Sequence, residues 1–529
     1  MSRTETPAAS PPPRHNPWLI AIVVALAAFM EILDTSIANV ALPYIAGNLG
    51  VSNDESTWVL TSYLVSNAVI LPISGWLAGA IGRKRFFMAC ISSFTLSSVL
   101  CGIAPSLGFL LLFRVLQGLG GGGLQPMAQA ILADTFPPQQ RGLAFALYGI
   151  TAIMAPAVGP TLGGWITYNY SWRWIFFINV PVGLLALFLI QRLIEDPAYL
   201  VRLKSAGLKI DYIGIALLTL GVGALQIMLD RGQQDDWFQS HFILMLAILA
   251  GIGLLSLFIW EWFAGNPIVD VHLFKNFNFL GANAMMFLLG AVLFSSLVMM
   301  PLFLQTLMGY TAELAGLVLS VGALVLLVEM PLVGKLTSMI QARYIIAFGW
   351  LCLSLAMFHT TTQLSLLLDF GSATRVSLVQ RLGMGFLFVP ITLAAYVGIP
   401  QEKSNMVAGL VNFMRNIGSS VGTSMVTTLI ARRAQYHQTV LVSNASPQNP
   451  TFVNAVNGLS SYLTQSGLSP DVAQRQAHAS LYRVAQNQAA TLAFIDTYWI
   501  LGIISAIMFF LSFALRKNDP RQAGGATAA

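Results

Sequence analysis

Apolar runs of about 20 residues recur along the whole chain, and each is long enough to cross roughly 30 Å of hydrocarbon as a helix. Helices satisfy every backbone polar group within one segment, as lipid requires. The sequence is 56% hydrophobic and only 9% charged, whereas soluble domains carry about 25% charged residues. We therefore predict an all-α polytopic membrane protein with fourteen transmembrane helices. The predicted spans are 18–41, 57–80, 86–103, 107–133, 142–167, 174–193, 212–229, 241–263, 279–304, 312–335, 344–362, 376–398, 406–430 and 491–515.

Most of the 27 Lys and Arg residues fall on one side of this arrangement. An even number of spans returns the chain to its starting side, so both termini share that basic side. The positive-inside rule then places both termini in the cytoplasm. Three arginines, Arg114, Arg381 and Arg415, fall inside spans instead. The residues before Trp18 lack the pattern of a cleavable signal.

Two carboxylates, Glu31 and Asp34, interrupt the first apolar run. A charge at mid-bilayer costs roughly 2.5–3.5 kcal/mol on insertion scales, so such residues face protein or a water-filled cavity. Three positions on a helix correspond to about 60° of rotation, so both side chains point to one side. Intramembrane carboxylates serve as proton relays, which indicates a proton-coupled transporter. The alternative is a carboxylate neutralised by a neighbouring helix for packing alone.

The predicted spans divide into six, two and six. We expect a disordered cytoplasmic tail over 1–17, an N-terminal six-helix bundle over 18–193, a linker with two inserted transmembrane helices over 194–274, a C-terminal six-helix bundle over 275–515 and a cytoplasmic tail over 516–529.

A faint internal repeat joins the two sets of six. The pattern LxxRxxQG around Arg114 resembles LxxRxxMG around Arg381, and PISG ending at Gly75 resembles PLVG ending at Gly334. Parallel repeats with a binding site at their interface are a recurrent plan among transporters.

The external connection over 431–490 is unusually long for this chain, and loops of that length are commonly functional or disordered. It is rich in Asn, Gln, Ser and Ala, and segments 452–465 and 471–488 are candidates for amphipathic helices. Two interpretations stay open, a solvated excursion and a surface that docks a partner.

Cysteine and histidine placement argues against metal, redox and enzymatic chemistry. Cys90, Cys101 and Cys352 fall in predicted spans without paired or metal-ligand spacing, so we expect no disulfide, no metal and no cofactor. An intramembrane protease or acyltransferase needs a Ser/His, paired-Asp or metal constellation at membrane depth, and all six His residues lie at span ends or in loops. We therefore expect no enzyme. The net charge of +6 reflects the loop asymmetry, so we also expect no nucleic-acid partner.

Four segments resemble signatures of the major facilitator superfamily. Gly75–Arg85 (GWLAGAIGRKR) is similar to its loop-2/3 signature, and Leu111–Gly123 contains its span-four pattern of Arg followed by Gln-Gly. Ala155–Gly164 (APAVGPTLGG) resembles the span-five signature of proton-coupled exporters. Leu33–Pro43 (LDTSIANVALP) resembles a segment of the fourteen-span drug:proton antiporters. Three further stretches resemble a multidrug exporter of that group: Trp172–Gly183, Leu225–Trp237 and Asn266–Phe274.

The residues and the resemblance together imply three sets of functional positions. The proton-coupling set is Asp34, Glu31 and Arg114; Arg114 is the expected partner of both carboxylates, with a fixed structural ion pair as the alternative. The predicted substrate cavity contains Asn39, Gln117, Gln125, Glu329, Asn412 and Arg415. The conformational motifs contain Gly75, Gly82, Arg83, Lys84, Arg85, Pro156, Gly159, Pro160, Gly163 and Gly164.

Three of these positions carry alternatives of their own. Glu329 is a third protonatable site, a selector of cationic substrates, or the partner of an Arg in the C-terminal bundle. Gly79 occupies a position that is usually Asp in the superfamily pattern, which puts the charge relay of the Gly82–Arg85 turn in doubt and favours a topology anchor. A small-residue stripe on span five is expected to seal the two halves together, or to be ordinary tight packing. That stripe consists of Ala152, Pro156, Gly159 and Gly163.

These observations predict a secondary active exporter that moves hydrophobic or amphipathic small molecules outward in exchange for protons. The resemblance implies a periplasmic adaptor protein and an outer-membrane channel, and therefore a Gram-negative inner membrane. A proton-coupled uptake symporter shares the fold and the carboxylates; the span-five signature and the fourteen spans argue against it.

Overall fold

A computed structural model describes residues 15–196, 211–265, 267–443 and 445–516 of the chain. Within these ranges the regular secondary structure is helical, with no strand. The predicted all-α polytopic fold is therefore confirmed. Most of both expected tails and most of the basic segment after Asp196 lie outside the described residues, as does Asn266, the first residue of one of the family-like stretches.

Fifteen helices of the described chain are numbered here, and 3-10 turns are left unnumbered. They are α1 (Pro17–Leu49), α2 (Asn53–Ile81), α3 (Arg83–Gly102), α4 (Leu107–Thr135), α5 (Pro138–Asn169), α6 (Trp174–Leu193), α7 (Tyr212–Arg231), α8 (His241–Phe263), α9 (Phe277–Thr306), α10 (Ala312–Leu336), α11 (Ala342–Gln363), α12 (Phe370–Ala395), α13 (Ser404–Ser443), α14 (Pro450–Gln465) and α15 (Pro470–Leu511).

Thirteen of these helices are long and apolar enough to cross a membrane, and α13 and α14 are the two that are not. The predicted span 406–430 belongs to α13, whose apolar character is diluted by polar residues such as Asn412 and Arg415. α13 tolerates them because it packs among α2, α9 and α15. With α13, the described chain has fourteen helices of spanning length.

Polar caps begin several helices at the ends of spans. Ser52 and Glu55 form a capping box at the start of α2, in which each side chain accepts a hydrogen bond from the other residue's backbone N–H. The side chains of Asp211, Asn276 and Asp369 cap α7, α9 and α12 in the same general way. These short polar segments satisfy backbone donors where the spans end, so the connections can be brief.

Four spans are interrupted near their middle or first third. α4 breaks after Gly121 and resumes at Leu124, and α12 breaks after Arg381 and resumes at Gly385. The break in α12 includes Gly383 at φ +95°, a conformation that favours glycine. α6 and α10 carry shorter interruptions at Ile178 and Leu324. The α12 break falls inside the repeat pattern that the two halves share, and the α4 break begins three residues after that pattern ends at Gly118.

The small-residue stripe of α5 packs against α1, within the same half of the chain. A Cβ at Gly163 would lie 3.1 Å from Ile37, and a Cβ at Gly159 would clash with Ser36. The Ser36 hydroxyl also donates to the Pro156 carbonyl at 3.0 Å. Gly159 and Gly163 therefore tighten the N-terminal bundle, while Ala157 and Thr161 of the same helix contact Ser320 of α10 in the other half. The role of the stripe in sealing the two halves stays a prediction. Tight packing, the alternative interpretation, is what the structure shows for Gly159 and Gly163.

Glycine-lined contacts join the two halves between α2 and α13 and between α5 and α10. In the seam between α2 and α13, a Cβ at Gly75 would lie 2.7 Å from backbone atoms of Met406. In the seam between α5 and α10, a Cβ at Gly334 would lie 2.9 Å from backbone atoms of Gly142 and Leu143. Backbones approach this closely only where side chains are absent. These contacts lie toward the face at which α1 begins and α15 ends, called the terminal face below.

The inserted pair, α7 and α8, lies outside these seams. Gly221 of α7 and Gly253 of α8 face each other, with 2.7 Å between the backbone of one and a Cβ built on the other. α7 also reaches both halves: Asp230 accepts a hydrogen bond from Thr61 of α2, and Gln226 donates to Ser420 of α13 at 2.8 Å. α8 packs mainly on α7.

The connection over 431–490 is largely helical. α13 continues to Ser443, α14 occupies Pro450–Gln465, and α15 begins at Pro470, so the two amphipathic segments predicted there are confirmed as helical. At the base of this protrusion, Asp496 accepts hydrogen bonds from Arg433 at 2.6 Å and bonds to His437 at 2.7 Å. Two long helices thus carry a helical structure beyond the bundle on the face opposite the terminal face.

The close approach of α13 to α9 predicts the effect of one added methyl group. Gly422→Ala would place a Cβ 2.5 Å from the Ala291 Cα, which forces the helices apart at a cost of about 1–3 kcal/mol. We expect a lower melting temperature for the detergent-purified variant. The matched control is Gly251→Ala in α8, where no atom lies within 4 Å of the new Cβ. Equal melting temperatures for the two variants would contradict the close packing of α13 against α9 at Gly422.

Candidate functional site

The Asp34 carboxylate lies at the junction of α1, α4 and α6. Its Oδ2 accepts a hydrogen bond from Arg114 Nη1 at 2.6 Å. Its Oδ1 accepts from Gln117 Nε2 at 3.0 Å and from Asn179 Nδ2 at 2.7 Å. Both charged side chains are almost fully buried. A buried ion pair of this kind repays its desolvation only when the remaining hydrogen bonds are satisfied, as they are for Asp34.

The Arg114 guanidinium is held in place from several sides. Its Nε donates to the Val59 carbonyl of α2 at 3.0 Å, and Nη1 also donates to Gln117 Oε1 at 2.8 Å. The Tyr63 ring lies 4.4 Å from the guanidinium carbon. α4 comes close enough to α2 for these contacts because Gly118 faces Ser66 and the Tyr63 carbonyl directly. The guanidinium therefore has one dominant charge partner, Asp34.

The Glu31 carboxylate occupies a separate polar site on the same side of α1. Tyr63 and Asn67 of α2 donate to its Oε1 at 2.9 and 3.0 Å, and Gln125 of α4 donates to its Oε2. Among the described residues, no cation lies within ion-pair distance of Glu31. Arg114 pairs with Asp34 alone, so its expected partnership with both carboxylates is not observed. One helical turn separates the two acids, and the α4 break brings Gln125, rather than Arg114, to Glu31.

Gln125 links Glu31 to the other half of the chain. Its Oε1 accepts hydrogen bonds from Arg415 of α13 and from the Tyr148 hydroxyl of α5, the latter at 3.1 Å. One helical turn further along α4, Gln129 and Asn412 exchange hydrogen bonds at 2.9 and 3.3 Å. A charge on Glu31 is thus connected through one amide to a cation of the C-terminal half.

The remaining predicted cavity residues are distributed over several places. Gln117 lies in the Asp34 site, and Asn39 is exposed on α1. Glu329 of α10 accepts hydrogen bonds from the backbone N–H groups of Gly383 at 2.7 Å and Gly385 at 3.1 Å, at the break in α12. No Arg of the described C-terminal half lies within 4 Å of Glu329, so the suggested ion pair is not observed. The structure brings Gln125, Asn412 and Arg415 together, and their cavity role stays a prediction.

The basic turn between α2 and α3 contacts its own half of the chain. Gly82 has φ +93°, and Arg83 is buried against Asp134 at the end of α4, 2.8 Å away. Lys84 Nζ donates to the Gln191 carbonyl of α6 at 2.6 Å, and Arg85 is exposed. The turn therefore joins α2, α3, α4 and α6 at the terminal face. No atom lies within 4 Å of a Cβ built on Gly79.

Four residues of these networks were not among the predicted positions: Tyr63, Asn67, Tyr148 and Asn179. For the two asparagines the signal in the sequence is a polar group inside an apolar run, as for the two acids. Asn67 and Asn179 are amides at membrane depth, where polar side chains are costly and therefore informative. The tyrosines carry no such signal, since the ring alone suits a buried span.

Residues 24–423 match the Major Facilitator Superfamily. The chain belongs to that superfamily. It is 35% identical to the multidrug export protein EmrB of Escherichia coli (strain K12) over 508 residues, which cover 96% of each chain. It is 38% identical to the fatty acid resistance protein FarB of Neisseria gonorrhoeae over 453 residues, 85% of this chain and 87% of FarB.

The fold is also similar to that of a solved transporter. The proton:xylose symporter XylE superimposes with a TM-score of 0.60 at 12% sequence identity, covering 95% of this chain and 97% of XylE. At that identity the likeness concerns the fold alone. It shows that the fourteen long helices of this chain contain the architecture of a major facilitator.

The buried pair of Asp34 and Arg114 predicts a measurable coupling. Arg114→Gln leaves a buried carboxylate without its cation, which costs about 3–5 kcal/mol, and should lower the melting temperature strongly. Asp34→Asn should lower it less, because Asn keeps the shape and an acceptor oxygen. The double variant should be more stable than Arg114→Gln alone, with a coupling of about 0.5–3 kcal/mol. Additive losses in thermal unfolding would rule out a direct energetic pair.

Proposed function

We propose that this protein is a proton-driven exporter of hydrophobic or amphipathic drugs. The observation that carries the proposal is the buried Asp34–Arg114 pair, with Glu31 one turn away, in a chain 35% identical to a multidrug exporter over nearly its whole length. Intramembrane carboxylates that can gain and lose a proton are the usual elements of proton coupling. The name of FarB also supports amphipathic substrates.

The two carboxylates have different parts in this proposal. Protonation of Asp34 removes its charge and weakens its hold on Arg114, which loosens the junction of α1, α4 and α6. Protonation of Glu31 weakens its hold on Gln125, and Gln125 also holds Arg415 of the other half. Proton binding at Glu31 therefore bears on the contact between the halves, while Asp34 controls the packing inside one half.

We propose that alternation takes place between two bundles, 18–193 and 275–515, around the seams that join them. At the terminal face the halves are in close contact: Tyr148 stacks on Phe388 at 5.9 Å between ring centroids, and Phe145 lies 5.9 Å from Tyr396. If this face is cytoplasmic, as the positive-inside rule predicts, these contacts close the inner side. Within the described part of the inserted segment, α7 contacts both α2 and α13.

A proton-coupled uptake symporter remains the alternative with a shared fold, since XylE itself is a proton:xylose symporter. The fold does not decide the direction of transport. Export is favoured because relatives at 35–38% identity carry names of export and resistance. The localisation that accompanies this proposal is the inner membrane with both termini in the cytoplasm.

The proton-coupling role predicts the behaviour of one conservative substitution. Asp34→Asn should abolish efflux driven by a pH gradient in proteoliposomes, because Asn keeps the shape but carries no proton. Glu31→Gln should reduce efflux less or shift its pH optimum. The control is Asp235→Asn, which alters a partly exposed acid paired with Arg231 outside the spans. Full gradient-driven efflux by folded Asp34→Asn would refute the assignment.

We further propose that the protrusion formed by the ends of α13 and α15 together with α14 docks a periplasmic adaptor, which in turn meets an outer-membrane channel. Large apolar side chains are exposed on it, including Tyr436 at 56%, Tyr462 at 66% and Val484 at 55%. Exposed aromatic residues on a polar surface are typical of the core of a protein–protein interface. A rigid helical protrusion also presents such a surface at a lower ordering cost than a flexible loop.

Shortening residues 440–485 to a brief Gly/Ser linker tests the docking proposal. The cut lies beyond the contacts of Asp496 with Arg433 and His437, so the bases of α13 and α15 stay joined. Transport by the purified protein in liposomes should be nearly unchanged. Drug resistance in cells and co-purification with the adaptor should fall. Full resistance and full adaptor binding by the shortened protein would refute the docking proposal and show that the protrusion is only a solvated connection.

A further inference from the structure

The Arg381 guanidinium is the least compensated charge in the described C-terminal half. The side chain is fully buried, and Nε, Nη1 and Nη2 all lack a hydrogen-bond partner among the described residues. No carboxylate of the described chain lies within 4 Å of it. A buried, unpaired charge is among the most expensive groups that a protein can contain.

Comparison with Arg114 shows that Arg381 lacks an acidic partner among the described residues. The two arginines occupy the same place in the repeat pattern; Arg381 lies directly before the break in α12, and Arg114 lies two helical turns before the break in α4. Arg114 has Asp34 of α1 as its counter-charge. The corresponding first helix of the second half, α9, contains no acidic residue at all. Glu329 of α10 does not pair with Arg381; its carboxylate accepts hydrogen bonds from the backbone N–H groups of Gly383 and Gly385.

Two hydroxyl groups near Arg381 can donate hydrogen bonds and have no acceptor of ordinary geometry among the described residues. Ser377 lies one helical turn earlier on the same face of α12, and its buried hydroxyl has no partner among the described residues. The buried Tyr498 hydroxyl of α15 makes no hydrogen bond of ordinary length among the described residues, and it lies near both the guanidinium and Gln380. The neighbouring amide of Gln380 is occupied by Ser296 and Thr360.

We propose that Arg381, Ser377 and Tyr498 form a binding site for one small monovalent anion of the size of chloride. A guanidinium has five N–H donors, and the two hydroxyls add two more. A single water accepts few hydrogen bonds and brings no charge, whereas an anion accepts from several donors and supplies the missing negative charge. The anion takes the place in the second half that Asp34 holds in the first.

The site is independent of the proton coupling proposed above, because it concerns the stability of the C-terminal half. An anion that binds the folded protein and not the unfolded chain stabilises the fold by mass action. The protein should therefore be more stable in chloride than in a large anion that the buried site excludes, at the same ionic strength.

The test is thermal unfolding of the full-length protein in detergent, with potassium chloride replacing potassium gluconate at constant ionic strength. The wild-type melting temperature should rise with chloride and saturate, and bromide should act like chloride. Arg381→Gln should raise the half-maximal chloride concentration by more than about tenfold, since hydrogen bonds to a charged group are lost. Tyr498→Phe and Ser377→Ala should each raise it by a smaller factor.

The matched control is Arg375→Gln, which removes an exposed arginine from the same helix and should leave the chloride response unchanged. A wild-type melting temperature that is insensitive to chloride would overturn the proposal, as would an unchanged response in folded Arg381→Gln. If Arg381→Gln does not fold, an unchanged response in both Tyr498→Phe and Ser377→Ala overturns it.

Two further arms separate other sources of negative charge. Loss of the chloride response in Glu329→Gln would show that the response depends on Glu329 rather than on the proposed donors, which contradicts the site. Saturable stabilisation by octanoate with no effect of halide would assign the position to the carboxylate of an amphipathic substrate, and would equally reject an inorganic anion. Retention of the halide response in Glu329→Gln, with no competition by octanoate, supports the proposal.

Discussion

The cost of burying charge in a low-dielectric interior governs this structure. Asp34 and Arg114 are tolerated deep in the first bundle because each compensates the other, and because Gln117 and Asn179 complete the carboxylate's hydrogen bonds. That arrangement requires three helices to converge on one point. The close approach of α4 to α2 at Gly118, and the anchoring of Asn179 on α6, both serve this convergence. Loss of one charge therefore disturbs packing as well as electrostatics.

Glycine-lined contacts supply the second constraint, and they occur both within the first bundle and between the two halves. The stripe on α5 locks α1 into the first bundle, whereas Gly75, Gly142 and Gly334 bring the two halves together near the terminal face. Helix association in lipid rests on such close packing and on hydrogen bonds between helices, because lipid supplies little hydrophobic drive. The Gln125–Arg415 contact is polar and links the halves beside Glu31. A polar contact whose strength depends on one carboxylate is suited to opening and closing.

The two halves share a scaffold and differ in their charges. Both have an arginine at the same position of the repeat pattern, yet among the described residues only the arginine of the first half has an acid within ion-pair distance. In the second half, the Glu329 carboxylate accepts hydrogen bonds from backbone N–H groups at the α12 break instead. A repeated architecture thus holds two different electrostatic solutions, one internal to the chain and one that we infer to need an external anion.

The sequence alone determined the all-helical membrane fold, the positions of the spans, and Asp34, Glu31 and Arg114 as charges inside spans, because hydropathy and the cost of an intramembrane charge are local properties of the chain. Only the tertiary structure decided the pairings. Arg114 meets Asp34 and not Glu31, since the break in α4 turns Gln125 toward Glu31. Gly159 and Gly163 of the α5 stripe meet α1, and the connection after α13 consists of two extended helices with a third between them. Those outcomes depend on how closely helix backbones approach and on the reach of individual side chains. Neither quantity can be predicted from a single segment of sequence, because both depend on which segments pack together.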